Sequence, residues 1–134
     1  MSFAGNIITS PDGVAWTAQN PGATDILTSV AWTGSNLIVV GGADTTSGAV
    51  LISPNGINWT QQSPGTNYAL SSVGWSGTHL AATSFYGNIL TSPDGLLWTP
   101  RNSGTSFQLN FIGWSGVDST WLAVGADGTI LTSH

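Results

Sequence analysis

The sequence predicts an all-β fold of β-propeller type. Its blades have four antiparallel strands, with about three blades per chain and the ring completed by homo-oligomerisation. Three observations predict it: a tryptophan-anchored repeat of about 40 residues, four short strand-like runs within each repeat, and a composition hostile to amphipathic helices.

The repeat is direct. TSPDGVAWT (residues 9–17) recurs as ISPNGINWT (52–60) and TSPDGLLWT (91–99). Sixteen residues after each of these tryptophans stands another: Trp32 after Trp16, Trp75 after Trp59 and Trp114 after Trp98. The period is 43 and then 39 residues, and six of the seven tryptophans obey it. A four-strand repeat of this length marks a propeller blade, whereas a β-sandwich gives no reason for a fixed period.

The runs, A to D from the expected axis outward, are bounded by turn residues. The chain opens with C and D strands within 5–19 (Asn6–Ser10 and Val14–Ala18). A first complete blade spans 26–62: Leu27–Thr33, Leu37–Gly42, Ala49–Ser53 and Asn58–Gln62. A second spans 69–101: Leu70–Ser76, His79–Thr83, Asn88–Ser92 and Leu96–Thr99. A, B and C strands at 109–133 close the single repeat domain 1–134: Leu109–Ser115, Thr120–Gly125 and Thr129–Ser133. Strand A alternates, with small Ala31, Gly74 or Gly113 between an aliphatic residue and Trp, which suits close approach near an axis. Strand B is apolar on both faces, as a central strand should be.

Hydrophobic residues make up 40% of the 134-residue chain, enough for a core, while charged residues make up only 5%, against about 25% in ordinary domains. There is no Lys or Glu; the charges are Arg101 and six Asp. A formal charge of −5 disfavours nucleic acid and anionic membrane surfaces as partners. The absence of cysteine leaves no thiolate metal site and no clue to redox compartment. Neither a signal peptide nor an apolar run of transmembrane length is visible, so the chain reads as soluble, with compartment and source open.

The turns starting at Ser10, Ser53 and Ser92 resemble the Asp-box repeat of bacterial neuraminidases. The wider unit is similar to propellers of bacterial surface proteins and photosystem II assembly factors. The likeness rests on Ser10, Asp12, Gly13 and Trp16; Ser53, Asn55, Gly56 and Trp59; and Ser92, Asp94, Gly95 and Trp98. Gly follows Asp one residue earlier than usual, which implies a tighter hairpin, and the middle copy carries Asn55 for Asp. The motif is expected to be structural: the Asp or Asn accepts turn N–H groups, Gly takes positive φ, and Trp packs between blades. One carboxylate per turn is poor calcium ligation, so no metal and no cofactor are expected.

Catalysis is not expected. A sialidase of the resembled family holds its substrate with several arginines and a Tyr activated by Glu; this chain has one Arg and no Glu. His79 begins a strand, His134 is the last residue, and no nucleophile motif accompanies either. A catalytic pair of Asp is formally possible, but Asp12 and Asp94 are committed to turns and Asp25, Asp44, Asp118 and Asp127 lie in expected loops.

Binding candidates gather on the face shared by the D–A and B–C loops. Asp25, Tyr68 and Phe107 stand at equivalent positions, and the B–C connections carry Asp44, Phe85, Tyr86 and Asp127. Aromatic rings beside carboxylates suit neutral sugars or peptide; the plainer expectation is that Tyr68 and Phe107 cover blade ends and that Trp121 belongs to the core. The leading expectation is a scaffold that assembles with itself. Three blades expose unpaired edges with no Lys to guard them, and head-to-tail association resolves this. A dimer of six blades is preferred to a trimer of nine, with one C strand in surplus. The alternatives are a lectin-like or protein-binding propeller and a fragment or engineered piece of a larger one.

Overall fold

In a computed structural model, which describes residues 5–22, 25–43 and 47–133, thirteen β-strands form four antiparallel sheets. The protein is all-β: the described residues hold no α-helix, only a 3-10 turn at Ala126–Gly128. Sheet 1 is the hairpin β1 (Ile7–Thr9) and β2 (Thr17–Gln19). Sheet 2 runs in the order β3 (Ile26–Trp32), β4 (Leu37–Ala43), β5 (Ser47–Ser53) and β6 (Thr60–Gln62). Sheet 3 repeats it with β7 (Leu70–Trp75), β8 (Leu80–Ser84), β9 (Ile89–Ser92) and β10 (Thr99–Arg101). Sheet 4 has three strands, β11 (Leu109–Ser115), β12 (Thr120–Gly125) and β13 (Ile130–Ser133).

Register is the same in every sheet. Trp32, Trp75 and Trp114, at or next to the end of the first strands, face Leu37, Leu80 and Trp121, at or next to the start of the second. Sheet 1 carries the third- and fourth-strand pairing alone: Ile7 opposes Gln19 as Val50 opposes Gln62. The fourth strands begin later than expected. Leu96 and Leu97 donate their N–H groups to Asp94 Oδ1, so they belong to the turn and pairing starts at Thr99. Val14, Ala15, Ile57 and Asn58 are held in the same way in the other two copies.

Sheets 2, 3 and 4 pack in series through two apolar layers. In the first, Ile38, Val40 and Val50 of sheet 2 meet Leu70, Val73, Leu80, Ala82, Leu90 and Trp98 of sheet 3. In the second, Ala81 and Ile89 of sheet 3 meet Leu109, Ile112, Ala123, Trp121 and Leu131 of sheet 4. The small residue of the first strand is put to use here: a Cβ on Gly74 would stand 3.1 Å from the Trp121 ring. Each sheet thus has a leading face toward the preceding sheet and a trailing face toward the next. The first strands also touch directly. Each bulges at one place, between Leu27 and Ser29, Leu70 and Ser72, and Leu109 and Phe111. The bulged hydroxyl reaches the next sheet: Thr28 Oγ1 donates to the Leu70 carbonyl at 2.7 Å and Ser71 Oγ to the Leu109 carbonyl at 2.6 Å. The next residue accepts in return, Ser29 from Val73 N–H and Ser72 from Ile112 N–H, both at 3.2 Å. A bulge leaves a residue outside the ladder, and here that residue joins one sheet to the next.

Candidate functional site

The three Ser-Pro-(Asp/Asn)-Gly turns have one geometry. In the first, Ser10 Oγ donates to Asp12 Oδ1 and accepts from Gly13 N–H, while Asp12 Oδ1 accepts from Val14 and Ala15 N–H. Trp16 Nε1 closes the loop onto the Gly13 carbonyl at 3.2 Å. Ser53, Asn55, Gly56 and Trp59 repeat these contacts, as do Ser92, Asp94, Gly95 and Trp98. Asn55 can serve because the position needs one acceptor oxygen. The glycines have φ of 77°, 76° and 85°, a region costly for other residues. The Val14 and Ala15 amides and the Ser10 hydroxyl hold the Asp12 carboxyl below the usual carboxylate range. The Leu96 amide does most for Asp94, which is lowered against the opposing effect of burial with help from the Leu97 amide and the Ser92 hydroxyl.

Equivalent residues differ sharply in burial, and the difference follows their place in the series. Val73 and Ile112, on the leading faces of sheets 3 and 4, are 5% and 3% exposed; Val30, their counterpart in sheet 2, is 58% exposed. Trp98 is buried, Trp59 half-buried, and Trp16 57% exposed. Trp32 is exposed although Trp75 and Trp114 are half-buried. A solvent-open cleft of about 400 Å³ lies on this leading face, between Ile7–Thr9 and Leu27, Val30, Leu37, Val39 and Trp59.

The trailing face of sheet 4 mirrors this. Ile38 and Val50 are fully buried by sheet 3, whereas their counterparts Leu122 and Ile130 are exposed. Phe111, where Ser29 and Ser72 accept bonds, is 59% exposed. A second cleft, of about 250 Å³, lies between Arg101 at the end of β10, with Asn102 and Ser103 after it, and Leu131–Ser133 of β13, the edge strand of sheet 4 among the described residues.

The aromatic loop face is looser. Tyr68 and Tyr86 come together with ring centres 4.7 Å apart and planes tilted by 36°, both rings partly exposed. Phe107 and Asp127 are exposed, and Phe85 and Asp25 half-buried. Among the described residues, no hydrogen bond or ring contact ties Phe107, Asp25 or Asp127 to the tyrosine pair. Asp127 takes φ of 55° in its turn. Asp44 and His134 lie outside the described residues. Trp121 packs within the second apolar layer, edge-on to Trp114 with ring centres 5.1 Å apart. His79 is exposed, its Nδ1 3.1 Å from Thr78 Oγ1. No group of three or more His, Cys, Asp or Glu side chains suited to a metal occurs among the described residues.

The residues that sequence reasoning missed are the hydroxyl pairs Thr28–Ser29 and Ser71–Ser72. Their signal was the doublet before the aliphatic residue in TSVAW and SSVGW, absent from NFIGW. No protein-family model matches this chain, and a search of curated proteins finds no match.

Proposed function

We propose that the chain is a propeller segment of Asp-box type that completes its ring by head-to-tail association with further copies and serves as a non-catalytic scaffold. One observation carries this: Val30 is open to water at a position where its two internal counterparts are buried by a preceding sheet. Exposed apolar area of this kind marks an interaction surface. The trailing face of sheet 4 offers the complementary side, with Leu122 and Ile130 where Ile38 and Val50 cover Val73 in the chain itself. A head-to-tail contact is heterologous and closes into a ring when its rotation permits. Two copies, giving six blades, are favoured. Light scattering on purified protein is the test. A mass about twice 13.7 kDa is expected, three times that mass would mean nine blades, and a folded monomer refutes assembly.

A second reading, a lectin-like or peptide-binding face, is favoured by the part-exposed Tyr68–Tyr86 pair. Such rings offer flat apolar area to a sugar. Titration with neutral oligosaccharides, with Tyr68→Ala and Phe107→Ala as controls, separates it from a scaffold without ligand.

A further inference from the structure

β1 stands against sheet 2 as the third strand of a preceding sheet would. A Cβ on Gly95 would meet Ile52 of β5 at 3.4 Å, and a Cβ on the equivalent Gly56 would meet Thr9 of β1, the counterpart of Ile52, at 3.5 Å. β1 also holds β2 in the register of β5 with β6. Sheet 1 therefore has the pairing of the outer half of a four-stranded sheet, and the described residues place no first and second strand beside it. The cleft beside Ile7–Thr9 is where those strands would lie.

β11 and β12 have the register of a first and second strand, and their trailing face is open. If β11 and β12 of another copy fill the cleft, β12 must pair with β1. That edge of β12 is already taken: β13 pairs along it, Leu122 opposite Thr132 and Ala123 opposite Leu131. Two strands compete for one seat.

We infer that β13 is a place-holder, displaced from β12 when β1 of a second copy takes its seat. This rests on the assembly reading above and says how the junction forms. β1 is the strand that stays. The first Asp-box turn joins it to β2, and removing β1 from the sheet would break the Thr9–Thr17 pairing that closes the turn and disturb Ser10, which bonds Gly13 N–H at 2.8 Å and Asp12. Among the described residues β13 has no such partner in sheet 4, where it is the edge strand. Its Ile130 is 67% exposed, so releasing it costs little apolar burial beyond Leu131. The incoming strand restores what leaves: Ile7, Ile8 and Thr9 stand in the places of Ile130, Leu131 and Thr132. The second copy also brings β2 as a fourth strand for sheet 4, which has three among the described residues.

The experiment uses disulfides, since the chain has no cysteine of its own. Directly opposed residues of antiparallel strands have Cα atoms about 4.5–5.5 Å apart, within disulfide reach. In L122C/T132C, oxidation locks β13 onto β12. The oxidised protein is expected to run as a 13.7 kDa monomer and to regain about twice that mass on reduction. In T9C/L122C, oxidation is expected to yield a covalent dimer on denaturing gels. An oxidised lock that keeps the assembled mass, or an assembled T9C/L122C that forms no cross-link between copies, overturns the place-holder while leaving assembly intact. A wild-type chain that is monomeric at every concentration sinks both together, and the three results are distinguishable.

Discussion

Replacing Val30 by Asp separates association from folding. Val30 is 58% exposed in the single chain, so a polar side chain there disturbs little, and surface changes of this kind are usually within about 0.5 kcal/mol. Val73, 5% exposed, shows what a covered partner would do to the same position. Association would cover about half of the Val30 side chain, worth about 1 kcal/mol. The aspartate would instead be buried without a partner, which costs several kcal/mol. Together these weaken each junction by at least about 3 kcal/mol, roughly a hundredfold in Kd. A two-copy ring has two junctions, so its dissociation constant should rise about ten-thousandfold. The assay is sedimentation or light scattering across a dilution series, with thermal melting of the monomer alongside. Val73→Asp is the control and should unfold the chain. The reasoning is refuted if Val30→Asp assembles like the wild type, or if it destabilises the monomer as much as Val73→Asp does.

Ser71→Ala removes a hydroxyl that bonds the Leu109 carbonyl at 2.6 Å and buried Thr83 Oγ1 at 2.9 Å. A loss of about 2–4 kcal/mol is expected by urea unfolding, because Thr83 is left buried with its partner gone. Asp12 and Asp94 have folded-state pKa values below the ordinary 3.8, so their contribution is present above that value and is lost as pH falls through the lower, folded one. Asp12→Asn and Asp94→Asn should flatten the melting temperature between about pH 5 and pH 2; an unchanged slope would show that acid acts elsewhere. Trp16 and Trp32, both more than half exposed, should shift to bluer emission on assembly, and Trp16→Phe with Trp32→Phe should remove most of the shift that dilution reverses.

Strand positions were legible because each period carries its own punctuation. The first-strand alternation around Trp32, Trp75 and Trp114 and the unbroken apolar second strands leave little choice of face, and register follows from face. The onset of the fourth strands was not legible. Leu96, Leu97 and Val14 are apolar and read as strand, yet their amides are drawn to a carboxylate two or three residues back. Turn hydrogen bonding competes with the ladder there and wins. The bulges at Thr28, Ser71 and Asn110 were also hidden, since a bulge adds a residue without changing composition. Burial could not be read at all where it depends on a neighbour. Trp16 and Trp98 sit in nearly identical motifs and differ only in what lies beyond the chain's own leading face. The tyrosine pair needed coordinates, because Tyr68 and Tyr86 come from different loops.

The links between first strands are made by alcohols and amide dipoles, and the layers between sheets by hydrocarbon. The proposed joint between copies lacks those alcohols, since Asn110 and Phe111 stand where Ser71 and Ser72 do, and would be closed by the hydrocarbon of Val30, Leu122 and Ile130. Copies that each carry −5 repel one another weakly in dilute buffer, so moderate salt should ease their meeting, and sulfate should tighten it by favouring apolar contact. Without complementary charge to guide approach, encounters belong in the unsteered range of about 10⁵–10⁶ M⁻¹s⁻¹. A joint so made would hold in brine as well as in fresh water.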